Sequence, residues 1–288
     1  MDNRIPTMLS TSLLAFADAA IDTFCAPQTR DTAPRDLAIL GSARMRHVAH
    51  RQILEIPADP TREPILLAVY EWGEKELPAV ALVHGWELQA GRMGHFVNPL
   101  LRAGYRVIAI DLPAHGASGG SMLNVPDGAA AIADVCSTGG DVTTVIGHSF
   151  GGLTALWLAA HLPPGSALTH VVTLGAGSGV SFLLRNLVAA QGWDAAHERA
   201  FRERFAERFG GPVELYSVAR FGRHIRVPVL VVHDKRDNMV GFEESDAILA
   251  HVPTARRLAT SGLGHPAVTR DAEVIAAAVR FIQAPETA

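Results

Sequence analysis

Only two cysteines occur in 288 residues, Cys25 and Cys136, far apart and without Cys-x-x-Cys spacing. They read as reduced, packed thiols more readily than as a disulfide, and the expected compartment is the cytoplasm. Blocks of lysine and arginine are missing and the net charge is −4, so nucleic acid is not an expected partner. The chain has no run of 18 or more uncharged apolar residues, so no membrane span is expected. Metal-ligand spacing of the His-Glu-x-x-His kind is absent too, and the expectation is no metal and no other cofactor. Internal repeats and low-complexity tracts are lacking. What is present is a chain 48% apolar, long enough for one α/β unit with an insertion rather than two equal domains.

Met8 to Ile21 is apolar enough to suggest a signal sequence, but Asp2 and Asp18, a single basic residue at Arg4 and the want of a small-residue cleavage site argue against one. Leu9, Leu13, Phe16, Ala17, Ala20 and Phe24 share a helical face, so residues 1–44 are expected to form a helix and connector packed on the core. Met45–Ile56 and Ile65–Trp72 read as a hairpin around Pro57-Ala58-Asp59-Pro60. Apolar strands at Ala79–Val83, Tyr105–Ile110, Val142–Ile146, His170–Leu174 and Val227–His233 then alternate with helical stretches, among them Arg92–Ala103 and Val125–Cys136. Strands apolar along their whole length and separated by helices predict a parallel sheet covered on both faces. The alternation breaks over residues 178–226, where Phe182–Ala190 and Trp193–Phe209 are helical patterns with no strand between them. That segment reads as a helical insertion dividing a core of residues 45–177 and 227–288. A helix at Phe242–Ala250, a strand at Arg256–Ala259 and a helix at Asp271–Ile282 complete the chain.

The chemistry centres on Gly147-His148-Ser149-Phe150-Gly151, where a β-branched run turns at once into a helical pattern. Gly-x-Ser-x-Gly in that context presents the serine hydroxyl on a sharp strand-to-helix turn. Serine needs a base within reach and the base needs an orienting group. His265, in a loop flanked by Gly262, Gly264 and Pro266, is the candidate base. For the acid, Asp237 is favoured over Asp234, which follows the strand directly and could instead cap the turn. Backbone N–H groups of Phe150 and Trp86 are the candidate oxyanion donors. Phe182 and Leu187 of the insertion, with Glu87, are candidate pocket residues, Glu87 alternatively being a solvated loop carboxylate. Gly175–Gly179 lacks the spacing of a dinucleotide fingerprint.

With His84-Gly85 and the Asp111–Ser118 loop added to Ser149, Asp237 and His265, in that order, the chain from Met45 onward resembles the α/β-hydrolase fold superfamily. The resemblance implies a mostly parallel eight-stranded sheet flanked by helices, with a small helical lid inserted after the sixth strand. It also implies structural roles for Asp111 and His115. Ala114 departs from it, since relatives carry glycine there. The expected activity is that of a serine hydrolase, carboxylesterase-like, cleaving a small-molecule ester or thioester of an apolar acyl group through an acyl-enzyme. Acyl transfer, a perhydrolase-like reaction, or a non-catalytic binding protein of the same fold are the alternatives.

Overall fold

The computed structural model describes residues 10–28, 33–51, 63–162 and 165–284. An N-terminal helix α1 (Thr11–Cys25), capped by Ser10, and a short α2 (Pro34–Leu40) precede the sheet. β1 (Arg44–His50) and β2 (Ile65–Trp72) pair antiparallel, as the hairpin reading predicts. The turn read at Pro57–Pro60 and the end of the first strand beyond Arg51 lie outside the described residues. β3 (Ala79–Val83) follows, then α3 (Val97–Arg102) and β4 (Arg106–Ile110). The continuous helix expected over Arg92–Ala103 is instead a 3-10 stretch, Ala90–Phe96, leading into α3. Gly91, Gly94 and Pro99 within this span disfavour an unbroken α-helix.

α4 (Val125–Thr138) begins at Asn124, whose side chain caps the amide of Asp127. β5 (Val142–His148) runs directly into α5 (Phe150–Ala160), and β6 (His170–Leu174) comes next. Between β6 and the next strand stand α6 (Val180–Gln191), α7 (Ala195–Phe209) and a four-residue α8 (Val218–Phe221). Asp194 caps α7, and Gly192 and Gly210 end α6 and α7 in the left-handed conformation. An antiparallel bridge between Gly179 and Ser217 pinches the base of this helical segment. β7 (Val229–Asp234), α9 (Glu243–His251), β8 (Ala255–Thr260), a short α10 (Gly264–Ala267) and α11 (Ala272–Gln283) close the described chain.

The sheet has eight strands in the order β1-β2-β4-β3-β5-β6-β7-β8. From β4 to β8 all neighbours are parallel, while β2 meets β4 antiparallel. β3, β4, β6 and β7 are buried along their entire length, which is why they read as unbroken apolar runs rather than alternating ones. One core lies between the sheet and α4, α5 and α9, and a second between the opposite face and α3 and α11. The strand order reverses between β3 and β5. Loops leaving the carboxyl ends of two strands at such a switch point diverge and leave a crevice. Trp86 follows β3 and Ser149 follows β5.

α1 packs chiefly on α7 rather than on the sheet. Its buried stripe is Ala17, Ile21 and Cys25, with Phe16 and Phe24 half-buried beside it. Leu9 of the expected apolar face lies outside the described residues.

Candidate active site

Ser149 occupies a strained positive-φ backbone conformation, φ 53° and ψ −118°, between the last residue of β5 and the first of α5. Its amide donates to Leu174 O at 2.9 Å, pinning the turn to the end of β6. The glycines on either side are required by close approach. A Cβ on Gly147 would stand 2.3 Å from Gly151 O, and one on Gly151 would stand 2.4 Å from His84 O. A serine held at positive φ stores on the order of 1–2 kcal/mol, which the surrounding packing must sustain. Glu87 and Ala114, at φ 56° and 63°, are the other non-glycine residues of this kind among those described, and they lie in the loops after β3 and β4.

His265 sits in α10, its Nδ1 2.7 Å from Asp237 Oδ2. The carboxylate must accept there, so Nδ1 carries the proton and Nε2 keeps its lone pair. Asp237 Oδ1 accepts from the amides of Met239 and Val240, both at 2.9 Å. Burial pushes the Asp237 carboxyl up, but the bonds from His265 and from these amides outweigh it and hold the group below the usual carboxylate range. Asp234 does other work. It accepts from Thr260 Oγ1 at 2.7 Å and from the amides of Arg236, Gly262 and Leu263 at 2.8, 3.1 and 3.0 Å. Burial opposes ionisation there too, but Thr260 and the amides overcome it and the pKa lies well below normal. Asp234 thus ties the end of β7 to the loop that carries His265 and does not touch the imidazole.

Three further histidines in the loops of the site, of which His148 adjoins His265, are held neutral by burial. His148 Nε2–H donates to the carbonyl of His265 at 3.1 Å, and burial, with His265 close by, lowers its pKa to about 3. His84 donates from Nδ1 to Gly85 O at 2.7 Å and accepts from the Leu112 amide at 3.0 Å, and its pKa is likewise lowered to about 3, by burial and then by His115. His115 donates to Pro113 O at 2.9 Å and accepts from the Glu87 amide at 3.0 Å. Buried Asp111 accepts from the amides of Ala90 and Ala117 and from Tyr70 Oη, and burial raises its pKa. Asp111 and His115 therefore fasten the loops after β3 and β4 together.

A cavity of about 390 Å³ lies over Ser149 and His265, within the ~300–1,000 Å³ range of small-molecule sites. Ser149 is half-buried at its floor, with Trp86 and Phe150 beside it. The amides of Trp86 and Phe150 donate to no acceptor among the described residues. No hydrogen bond joins Ser149 Oγ to His265; such contacts commonly tighten only in the complex with substrate. Phe182 and Leu187 of α6 line the cavity, together with Leu183 between them. Glu87 does not. Its Oε1 accepts from the Gln28 amide at 3.1 Å, and it borders a separate, more polar hollow with His115 and Arg92. Several lining residues escaped the sequence reading, among them Thr23, Phe24 and Cys25 of α1, Leu123 to Pro126 at the start of α4, and Met239 and Val240 beside Asp237. For α1 the signal was available as the i, i+4, i+8 spacing of Ala17, Ile21 and Cys25.

Among the described residues no cluster of three or more His, Cys, Asp or Glu side chains could hold a metal ion, and no helix is long and apolar enough to cross a membrane.

A family model described as the alpha/beta hydrolase family matches residues 80–278, from β3 through most of α11. The chain belongs to that family. A pyrethroid hydrolase of Sphingobium wenxiniae is 38% identical over 33% of this chain, and the match spans only about a third of that relative's length, 36%. A pimeloyl-[acyl-carrier protein] methyl ester esterase of Xanthomonas campestris is 28% identical over 72% of this chain and 96% of its own. Among solved structures, an esterase of Pyrococcus furiosus superposes with a TM-score of 0.63 at 18% identity, covering 89% of this chain and 97% of the other. That likeness is one of fold. The family match begins within β3, so α1, α2, β1 and β2 lie ahead of the matched part.

Proposed function

We propose that the protein is a serine hydrolase of uncharged carboxylic esters or thioesters. The observation that carries the reading is the 2.7 Å Asp237–His265 pair facing the same cavity as Ser149 on its strained turn. In this reading Ser149 Oγ attacks the acyl carbon while His265 Nε2 takes the hydroxyl proton. Asp237 keeps Nδ1 protonated and stabilises the imidazolium. The amides of Trp86 and Phe150 receive the oxyanion. As the tetrahedral intermediate collapses, the C–O or C–S bond to the leaving group breaks, and His265 returns the proton to the departing alcohol or thiol. Water, deprotonated by the same imidazole, then releases the acid and regenerates Ser149. The Xanthomonas relative is a methyl ester esterase, which agrees with ester cleavage.

The side chains around the cavity are overwhelmingly apolar, with Phe182, Leu183 and Leu187 on one wall, so small to medium apolar acyl groups suit it better than charged ones. α6 and α7 act in this reading as a lid. Each acyl methylene buried contributes about 0.8 kcal/mol, roughly fourfold in binding. On a panel of p-nitrophenyl esters, kcat/KM is expected to rise over the first few acyl carbons and then fall. Phe182→Ala or Leu187→Ala will move the optimum to longer chains, and a flat profile across chain lengths would count against the apolar wall. Labelling by a fluorophosphonate, abolished in Ser149→Ala, tests the nucleophile itself. Acyl transfer to an alcohol or peroxide would use the same acyl-enzyme, and the scarcity of polar groups to order a water in the cavity is what favours retaining it as the second reading. Product analysis with competing acceptors separates the two.

A further inference from the structure

α1 is fastened to α7 along its length. Asp18 pairs with Arg204 at 2.7 Å and Asp22 with Arg208 at 2.6 Å. Phe16 meets Trp193 edge-on at 5.1 Å between ring centroids, and Phe24 meets Phe201 at 5.5 Å. At its carboxyl end the Cys25 carbonyl accepts from the Leu123 amide at 2.8 Å, so the last turn of α1 is joined to the residues that open α4. That last turn, Thr23 to Cys25, faces the cavity over Ser149. The family match begins at residue 80, so this wall comes from a part of the chain outside the common domain.

Strand order says which part of an ester would meet it. Along the sheet edge Ser149, after β5, stands in the middle. On one side are β7 and β8, whose loops bring Asp237, Val240 and His265. On the other are β3 and β4, whose loops bring Trp86 and, through Leu123, the end of α1. The leaving oxygen or sulfur must reach His265 to be protonated, so the alcohol or thiol portion belongs on the β7–β8 side. The acyl group then extends toward β3 and β4, where Leu123 and Cys25 are lining residues. Cys25 has its thiol pushed up to about 12 by burial, so at neutral pH it is an uncharged filler of that wall rather than a second nucleophile.

We propose that α1 is an integral wall of the substrate cavity and that Cys25 and Phe24 are specificity-determining residues for the acyl group. This rests on Ser149 being the nucleophile. Cys25→Phe extends into the cavity, and the ratio of kcat/KM for p-nitrophenyl octanoate over acetate is expected to fall about fifteenfold, the loss of two methylene contacts at about fourfold each. Phe24→Ala, at a half-buried position, enlarges the cavity, and the same ratio is expected to rise. A matching series of acetate esters differing only in the alcohol is expected to keep its selectivity ratios in both variants. A structural disturbance alone would shift the acyl and alcohol series together. Should Cys25→Phe fail to give a cooperative thermal transition, Phe24→Ala alone decides. A wild-type protein labelled at Ser149 by fluorophosphonate, whose acyl ratio stays unchanged in the variants or whose alcohol ratio shifts instead, overturns the wall while leaving the nucleophile intact. A wild-type protein neither labelled nor active overturns the Ser149 reading and takes this one with it.

Discussion

The floor of the cavity and its roof are held by different kinds of force. Beneath the substrate space Ser149, His265 and Asp237 stand on loops whose geometry is set by short hydrogen bonds and by glycines that admit no side chain; Asp234 alone accepts four bonds. Above it, α6, α7 and α1 meet through aromatic edges and through ion pairs whose acidic partners, Asp18 and Asp22, remain 40% and 60% exposed. Exposed pairs of that sort contribute little, on the order of 0–1 kcal/mol each, and are weakened by salt. On the proposed function, an atom misplaced in the floor would abolish chemistry, whereas a side chain exchanged in the roof would change which molecule fits.

The sharpest way to break that contrast is at the floor. Ser149→Ala and His265→Ala are each expected to lower ester hydrolysis by several orders of magnitude with the melting temperature little changed, because the groups act as one unit. A double variant much slower than either single variant would show that they do not. Asp237→Asn is expected to lower kcat on the order of ten-thousand-fold by favouring the wrong imidazole tautomer, by analogy with well-studied serine hydrolases. Asp234→Asn sets a different test, because its carboxylate serves Thr260 and three amides rather than the imidazole. Its expected cost is in stability, about 1–3 kcal/mol in denaturant melts, with activity falling by less than about tenfold. Reversed outcomes for the two aspartates would move the acid to Asp234.

Buried neutral histidines make the floor sensitive to acid. His84 and His148 have folded pKa values near 3 against about 6.5 when unfolded, so the unfolded chain binds more protons between those limits. Their neutral burial is therefore fully tolerated above about pH 6.5, and stability drains away as pH falls toward 3. The raised Asp111 carboxyl works in the opposite sense and offsets part of the loss. Chemical denaturation at pH 7.5 and pH 5.5 measures the slope, and His148→Asn is expected to reduce it. A stability unchanged over that interval would mean these rings are not buried neutral. The smallest expected effect is at Ala114, whose φ of 63° suits glycine. Relief of the strain, less the extra freedom of an unfolded glycine, leaves roughly 0.5–1 kcal/mol, so Ala114→Gly is expected to raise the melting temperature by about 1–3 °C. A drop would show that the alanine methyl is packed to advantage.

The same division governs what the sequence could reveal. Chemistry restricts the floor: a nucleophile needs a base and the base an acid, so motif and chain order brought forward Ser149, His265 and the choice between Asp234 and Asp237. Apolar strand runs revealed the parallel sheet, since burial on both faces leaves no polar alternation. The roof was only partly legible. Phe182 and Leu187 could be proposed from being large and apolar within the insertion, but α1 showed merely that it had an apolar face, and periodicity does not say which element covers it. Glu87 was open between a pocket residue and a solvated loop carboxylate, and adjacency to Trp86 in sequence could not decide which hollow it borders. The helical stretch read over Arg92–Ala103 divides into a 3-10 stretch and α3, and the glycines at 91 and 94 are the sequence signal for that division.

β8 closes the sheet on the side away from the hairpin, and its outer edge has no neighbouring strand among those described. Arg256 and Arg257, consecutive in that strand, turn to opposite faces. One guanidinium lies over the ring of Phe281 at 4.6 Å, the other over that of Phe242 at 4.4 Å. A foreign strand attempting to add to this edge would have to strip water from two cations fixed on either side of it. A charged flank of this kind disfavours the addition of a further strand, and both guanidiniums rest on aromatic rings already in place.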